Sequence, residues 1–139
     1  MKPRYRGLIV ATIIGLISGI AMTHGLDSPK VIVMKDTEVV IRELGTKDYA
    51  KMLLTPVQYK CLELIINRES HWNPLALEPT TGAFGIGQLQ PQTWRNLNYA
   101  KTNNPNAQIL ATLMYIHRRY GGSPGVCSAE KHSRTFGWY

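Results

Sequence analysis

The pattern of apolar and polar positions divides the chain near Thr55. Before that residue, two short apolar runs at residues 31–33 and 39–41 are separated by polar residues, which predicts two short strands. Residues 48–54 have the pattern of a short helix. We interpret residues 26–54 as a connector, because no group of residues in it suggests catalytic chemistry.

A helix is predicted from Pro56 to about Arg68. Thr55 and Gln58 have the spacing of a capping box, with a proline at the first helical position. The dipeptide Asn73-Pro74 cannot continue the helix, because the residue before a proline avoids the α conformation. Apolar residues recur every three or four positions and predict one buried face: Val57, Cys61, Leu64 and Ile65, widened by Leu62 and Ile66.

Two more helices and a loop follow along the chain. Pro91–Asn96 is predicted as a short helix, and a longer helix begins at Asn104-Pro105 and ends at Gly121-Gly122. Residues 123–139 form a short tail that ends in aromatic residues. The sequence therefore predicts a mainly α-helical domain over residues 55–139. The apolar stripe of the longer helix consists of Ile109, Leu110, Leu113, Met114 and Ile116.

Residues 1–25 have the features of an export signal. Three basic residues precede residues 7–22, which contain no charged side chain. A positive start before a short apolar stretch is typical of a secretory signal peptide. Residues 7–23 would also serve as a tilted, uncleaved membrane anchor, and a buried helix of a soluble domain is a third interpretation. The first two interpretations place the rest of the chain outside the cytoplasm, in the periplasm or secreted.

The two cysteines, Cys61 and Cys127, are too few for a zinc framework and have no CxxC spacing. An oxidising compartment favours a disulfide between them. Such a bond would connect the tail to the helix predicted from Pro56 and would contribute about 3–4 kcal/mol to the stability of the fold. Two buried thiols are the alternative.

Composition and charge narrow the function classes. The chain has 139 residues, of which 44% are hydrophobic and 18% charged, which excludes a disordered tail, a collagen and a long coiled coil. A formal charge of +7 suggests an anionic partner such as nucleic acid, a membrane surface or an acidic wall polymer. Nucleic acid is not favoured, since no basic run exceeds the pair Arg118–Arg119. The histidines show no metal-ligand spacing, and we expect neither a metal nor another cofactor.

Acidic residues are few in the predicted domain, where only four follow Thr55 and none is an aspartate. Glu69 differs from the others because it ends an apolar helix and is followed by His71-Trp72. Desolvation and the negative end of the helix dipole both raise the pKa of a carboxyl group, as a general acid requires. A solvated Glu69 paired with Arg68 is the simpler alternative.

The segment from Glu69 to Trp94 contains a dense motif: Glu-Ser, an aromatic residue, Asn-Pro-x-Ala, a Gly-Ala-x-Gly loop, a glutamine and Pro-x-Thr. The segment strongly resembles the soluble lytic transglycosylase family, which has a lysozyme-like fold. A looser resemblance extends from about Thr55 to the end of the chain. The motif positions are held by Glu69-Ser70, Trp72, Asn73-Pro74, Ala76, Gly82-Ala83-Phe84-Gly85, Gln88 and Pro91-Gln92-Thr93.

The resemblance implies cleavage of the MurNAc–GlcNAc β-1,4 bond of peptidoglycan, with Glu69 as the sole catalytic acid and base. It places Ser70 near the N-acetyl group of the sugar, and Gln88 in the cleft with Gly85 in the same loop. The product implied is a 1,6-anhydro sugar, formed by attack of the sugar's own 6-hydroxyl. One carboxylate is enough for this scheme, whereas most glycosidases use two. Glu78 is the rival second carboxylate, and if it faced Glu69 the enzyme would hydrolyse the bond.

The chain departs from the family on its C-terminal side. Many members have an Ala-Tyr-Asn-Ala-Gly segment whose tyrosine bonds the catalytic glutamate, and this segment is absent here. The ending Gly-Trp-Tyr resembles a smaller subgroup found among secreted wall-associated and phage proteins. Tyr139 is the first candidate for the missing tyrosine and Tyr120 the second. An aromatic plug that closes a small core is the alternative.

The sequence is therefore compatible with three functions: an exported lytic transglycosylase, a muramidase of the same fold, and a non-catalytic wall-binding or phage assembly protein. The expected partners are peptidoglycan glycan strands and, if the N-terminal segment is not cleaved, a membrane. No nucleic-acid partner is expected.

Overall fold

A computed structural model describes residues 30–35, 38–122 and 125–139. Strands β1 (Lys30–Lys35) and β2 (Glu38–Glu43) form an antiparallel hairpin in which Lys30 lies opposite Glu43. Both predicted strands are confirmed, each longer than its apolar run. The predicted signal or anchor in residues 1–25 lies outside the described residues. Within those described ranges, no helix combines the length and the apolar character needed to cross a bilayer.

The rest of the described chain is mainly helical, as predicted. The predicted short helix before Thr55 and the three helices after it are present with closely matching bounds. The last helix was not predicted, because its buried face consists mostly of small residues, Gly125, Ala129 and Ser133, beside Val126. The helices are α1 (Thr46–Leu53), α2 (Pro56–Glu69), α3 (Pro91–Asn96), α4 (Pro105–Tyr120) and α5 (Gly125–Phe136).

Helix α2 begins as the sequence predicts but buries a different face. The Thr55 hydroxyl accepts from the Gln58 amide, and the Gln58 side chain accepts from the Thr55 amide. The predicted apolar face was wrong at two positions, since Val57 is 71% exposed and Leu64 is 40% exposed. The buried residues are Leu62, Ile65 and Ile66, which pack in the main hydrophobic cluster. Helix α5 contacts α2 through Cys61 and Arg68.

Helix α4 is the central element of the core. It packs against α1 and α5, and it buries Ile109 and Ile116 together with the polar side chains of Gln108 and Thr112. Of its predicted stripe, Leu110, Leu113 and Met114 are only partly buried. The residues in the first two turns of α4 are all buried or partly buried, so other parts of the chain cover nearly every side of these turns.

The packed core begins before Thr55. Tyr49 and Ala50 of α1 are buried in the main hydrophobic cluster. The side chain of Asn106 in α4 also donates to the Leu44 carbonyl at 3.5 Å. The C-terminal part of the stretch interpreted as a connector thus packs against the helical domain.

Cys61 of α2 and Cys127 of α5 form a disulfide, with Cα atoms 5.1 Å apart. The bond joins two helices that also pack through apolar side chains. Because 66 residues separate the two cysteines, the bond removes much of the conformational freedom of the unfolded chain.

We predict that reduction of this disulfide lowers the melting temperature of the domain by at least about 10 °C, since such bonds contribute about 2–4 kcal/mol. Circular dichroism melts with and without dithiothreitol measure the shift. The control is the Cys61→Ala/Cys127→Ala variant, whose melting temperature should not respond to reductant. Equal melting temperatures of the oxidised and reduced wild-type protein would contradict the prediction.

Candidate active site

A folded loop joins α2 to α3 and carries most of the motif. The helix ends where the Ser70 and His71 amides both donate to the Ile66 carbonyl at 3.0 Å. His71 and Trp72 then adopt positive φ angles of 52° and 65°, which turn the chain away from the helix axis. Further along, Phe84 forms antiparallel bridges with both Leu77 and Leu89, so the loop folds back on itself.

The backbone of Ile86 is held from two sides. The Ser70 hydroxyl donates to the Ile86 carbonyl at 2.7 Å, and the Ile86 amide donates to Gln108 Oε1 at 2.8 Å. Gln108 is only 1% exposed, and its amide nitrogen also donates to the carbonyls of Pro74 and Thr102. The glycine-rich loop is therefore fixed to the end of α2 and to α4 at the same point.

Gly85 and Gly87 let the loop backbone approach α4 closely. A Cβ atom on Gly85 would lie 2.6 Å from the Gln108 side chain, and one on Gly87 would lie 2.1 Å from Thr112 Oγ1. Gly85 also has a φ of +78°, which favours glycine. The position of Gly85 is thus explained by packing against Gln108.

Gln88 closes the other end of this turn. Its side-chain amide donates to the carbonyls of Gly85 at 2.9 Å and Ala76 at 3.1 Å, and its backbone has a φ of 47°. The Gln88 side chain is half-buried. Its NH₂ group therefore stabilises the loop, while its carbonyl oxygen accepts no hydrogen bond from the described residues.

Glu69 is the last residue of α2 and continues the buried stripe of Leu62, Ile65 and Ile66 by one more turn. This position explains its half-buried carboxyl group. Desolvation raises the pKa of Glu69, and the smaller effect of the Arg68 charge lowers it. Within the described part of the chain no hydrogen bond to the Glu69 carboxylate is found, so neither of its oxygens is engaged in a structural hydrogen bond.

Arg68 is turned away from Glu69 and onto α5. Its guanidinium donates to Ser133 Oγ at 3.3 Å and forms an ion pair with Glu130 at 3.4 Å. The alternative of a solvated Glu69 paired with Arg68 therefore does not describe this structure.

The other acidic side chains of the domain have structural partners. Glu63 contacts Lys60 at 3.0 Å. Glu78 accepts from the amides of Thr80 and Thr81 and from the Thr81 hydroxyl, and these bonds lower its pKa to about 2. Glu78 therefore serves as the ionised cap of its own turn, which leaves Glu69 as the acidic group suited to proton transfer.

Tyr139 is buried beside the glycine-rich loop. Its hydroxyl donates to the Gly87 carbonyl at 2.5 Å, and its own main-chain oxygen accepts from the Tyr115 hydroxyl at 2.8 Å. Burial, followed by the charge of Glu69, raises the pKa of Tyr139 well above its usual range. Tyr139 is thus within electrostatic reach of Glu69, although its hydroxyl proton is directed to Gly87.

Tyr120 packs beside Arg119 and His132. Its ring centroid is 5.8 Å from the Arg119 guanidinium and 5.7 Å from the ring of His132. The Tyr120 hydroxyl is buried and makes no hydrogen bond with the described residues. Hydrogen bonds and chain adjacency bring together Glu69, Ser70, Gly85, Gln88 and Tyr139, and Tyr120 makes no hydrogen bond to this group.

The group also depends on three residues that the sequence did not indicate: Gln108, Thr112 and Tyr115. Gln108 and Thr112 are four residues apart inside an apolar helix, where Thr112 donates to the Gln108 carbonyl at 2.8 Å. Polar residues at helical spacing within an apolar stripe are the signal that could have indicated them. Tyr115 carries no comparable signal, because its role depends on contact with Tyr139.

Trp94 is a core residue, and the described residues include no group suited to hold a metal ion. No group of three His, Cys, Asp or Glu side chains in these ranges is placed to hold a metal ion. Trp94 is 3% exposed and donates to the Leu89 carbonyl, so it packs in the second hydrophobic cluster with Leu97.

Comparison with known proteins identifies the family of the chain. The chain is 37% identical over 62 residues to the membrane-bound lytic murein transglycosylase F of Pectobacterium atrosepticum, an alignment that covers 45% of this chain and 13% of that relative. The chain therefore matches only a small part of the relative's length. No solved structure gives a significant match. The family profile described as the transglycosylase SLT domain matches residues 50–134. The chain therefore belongs to the transglycosylase SLT family.

Proposed function

We propose that the protein is a peptidoglycan lytic transglycosylase that uses Glu69 as its single acid and base. The observation that carries the proposal is the state of Glu69, whose carboxyl group is half-buried, has a raised pKa and makes no hydrogen bond with the described residues. A desolvated carboxyl group remains protonated to a higher pH and can protonate a leaving oxygen. Family membership supports the same reaction class.

The reaction proceeds in two proton transfers. Glu69 first donates its proton to the glycosidic oxygen as the bond from MurNAc C1 to that oxygen breaks. The N-acetyl oxygen of MurNAc stabilises the positive charge at C1. The Glu69 carboxylate then removes the proton of the MurNAc 6-hydroxyl as this oxygen bonds to C1, which gives the 1,6-anhydro product and restores the acid. No water is consumed, so a second carboxylate to activate water is unnecessary.

The neighbouring residues position the sugar in this proposal. The Ser70 hydroxyl donates its proton to the Ile86 carbonyl. The Ser70 oxygen therefore remains free to accept a hydrogen bond from the N–H of an N-acetyl group. The free carbonyl oxygen of Gln88 accepts a sugar hydroxyl. Gly85 gives the loop its shape, and Tyr139 supports the loop through Gly87.

The site of action follows from the substrate. Peptidoglycan lies outside the cytoplasmic membrane, so we propose an extracytoplasmic protein whose residues 1–25 act as an export signal or whose residues 7–23 act as a membrane anchor. The relative from Pectobacterium atrosepticum is named as membrane-bound, which supports this location.

We predict that Glu69→Gln abolishes lysis, with turnover reduced by at least about 10²-fold, because the amide cannot donate or accept the proton. Mass spectrometry of muropeptides released from purified sacculi measures the loss. Anhydro ends should come from the wild-type protein alone. Glu69→Gln should melt no lower than wild type at neutral pH, since a raised carboxyl pKa means that ionisation costs stability in the folded state. Wild-type levels of lysis by this variant would refute the role of Glu69.

We predict that lytic activity decreases as the pH rises and Glu69 loses its proton. The midpoint of this alkaline limb of the pH–rate profile should lie above the pKa of an ordinary glutamate. Arg68 lowers the pKa of Glu69, so Arg68→Gln should move this limb of the rate profile to higher pH. Arg68→Lys keeps the charge and should leave the limb near its wild-type position. A limb that stays in place in Arg68→Gln would show that another group titrates.

Glu78 distinguishes the transglycosylase from a muramidase. We predict that Glu78→Gln retains lysis within about threefold and still yields anhydro ends, because the Glu78 carboxylate is engaged by Thr80 and Thr81. Its lowered pKa stabilises the fold above the ordinary carboxyl range, and this contribution is lost as the pH falls towards 2. Reducing ends from the wild-type protein, lost in Glu78→Gln, would assign hydrolysis instead.

A further inference from the structure

The surface next to the candidate active site carries an arginine in an aromatic setting that the proposed reaction does not use. We propose, resting on the proposed function, that Arg119 binds a carboxylate of the stem peptide attached to the glycan strand. The enzyme would then act preferentially on strands that still carry their peptides.

Three aromatic side chains hold the Arg119 guanidinium. Its central carbon lies 4.5 Å from the ring centroid of Trp138, 5.8 Å from that of Tyr120 and 6.0 Å from that of Tyr115. These distances are those of cation–π contacts. We call this group of three rings the aromatic cage. The cage fixes a flexible side chain in one place, which reduces the entropy lost when a ligand binds.

The aromatic cage is linked to the site of proton transfer through Tyr115. Arg119 Nη1 donates to the Tyr115 hydroxyl at 3.2 Å, and this hydroxyl donates to the main-chain oxygen of Tyr139 at 2.8 Å. The charge of Glu69 acts on both tyrosines. Arg119 is therefore linked through Tyr115 to Tyr139, whose hydroxyl donates to the glycine-rich loop at Gly87. In this proposal a strand bound at Glu69 passes within reach of Arg119.

The described residues supply no carboxylate to Arg119. The ion pairs of neighbouring basic residues join Arg68 and Arg134 to Glu130. Arg119 is exposed, and its guanidinium has five N–H donors in a planar fork that matches a carboxylate. An exposed, pre-positioned arginine without a counter-ion in the described part of the chain is suited to an anionic ligand.

The chemistry of the proposed substrate identifies that anion. The sugar rings of a glycan strand are uncharged, whereas the stem peptides attached to MurNAc carry free carboxylates. A guanidinium binds a carboxylate through two parallel hydrogen bonds, which gives both affinity and orientation. The formal charge of +7 also favours approach to a substrate rich in carboxylates.

The test compares two substrates and three variants. The substrates are purified glycan strands with intact stem peptides and the same strands after an amidase has removed the peptides. The variants are Arg119→Gln, Arg119→Lys and, as a matched control, Arg118→Gln, since Arg118 is exposed but donates to the Asn96 carbonyl. Rates of release of anhydro ends and melting temperatures are measured for each.

We expect Arg119→Gln to lower kcat/KM about 5- to 10-fold on peptide-bearing strands, mainly through KM, and to leave denuded strands unaffected. Arg119→Lys should retain part of the preference, and Arg118→Gln should behave as wild type. Equal losses on both substrates with a lower melting temperature would make Arg119 a structural residue and overturn the proposal. Removal of the peptide by the amidase converts the lactyl amide into a free carboxylate, so a loss on denuded strands without a change in melting temperature would assign Arg119 to that group instead.

Failure of the proposed function would be recognised separately. If the folded wild-type protein releases nothing from either substrate, the lytic function is wrong. Binding then tests Arg119 alone, through sedimentation of Glu69→Gln and of Glu69→Gln/Arg119→Gln with the two kinds of strand. Weaker binding of the double variant to peptide-bearing strands only would support the proposal, and equal binding would overturn it.

Discussion

The site depends on the backbone of one residue, Ile86. The Ile86 carbonyl accepts from Ser70 at the end of α2, and the Ile86 amide donates to Gln108 in the first turn of α4. Without these two bonds, the buried backbone of the loop would lose its hydrogen-bond partners, at a cost of about 1–3 kcal/mol for each group. The same bonds hold the glycine-rich loop, which includes Gln88, next to the end of α2 that carries Glu69. A feature that stabilises the fold thus also positions the loop of the candidate site.

In the proposed function, the position of Glu69 would favour proton transfer at the expense of stability. An apolar residue at its position would complete the buried stripe that begins at Leu62. The carboxyl group instead loses part of its hydration and gains no hydrogen bond from the described residues in return. Active sites commonly accept such a cost, because a carboxyl group with an altered pKa is what proton transfer requires. The packing of α5 against α2, together with the disulfide, provides stability elsewhere in a small domain.

Local signals predicted much of the fold and little of the packing. Local features mark three helix starts: the capping box at Thr55, the proline Pro91 and the N-cap Asn104. Each feature acts through hydrogen bonds or backbone geometry within four residues, so the sequence alone is enough to predict these helix starts. The motif likewise indicated Glu69 and Ser70 as candidate site residues. Helix α5, by contrast, buries mostly small residues, and the buried face of α2 differs from the one that its apolar pattern predicts. The polar spacing of Gln108 and Thr112 could have indicated that they are buried, but their partners are distant in sequence. The Gln108 bond to Ile86 and the Tyr115 bond to Tyr139 span 22 and 24 residues, so no local pattern encodes these partners.

If the protein cleaves the wall as proposed, the disulfide between Cys61 and Cys127 would also protect the producing cell. A wall-cleaving enzyme is harmful when it accumulates in the wrong place, and the cytoplasm keeps thiols reduced. There the α2–α5 pair would rely on apolar contacts alone, and the polypeptide would spend more time open to proteases. Oxidation after export would then close the helix pair beneath Glu69. Correct location and a durable fold would be coupled by a single covalent bond.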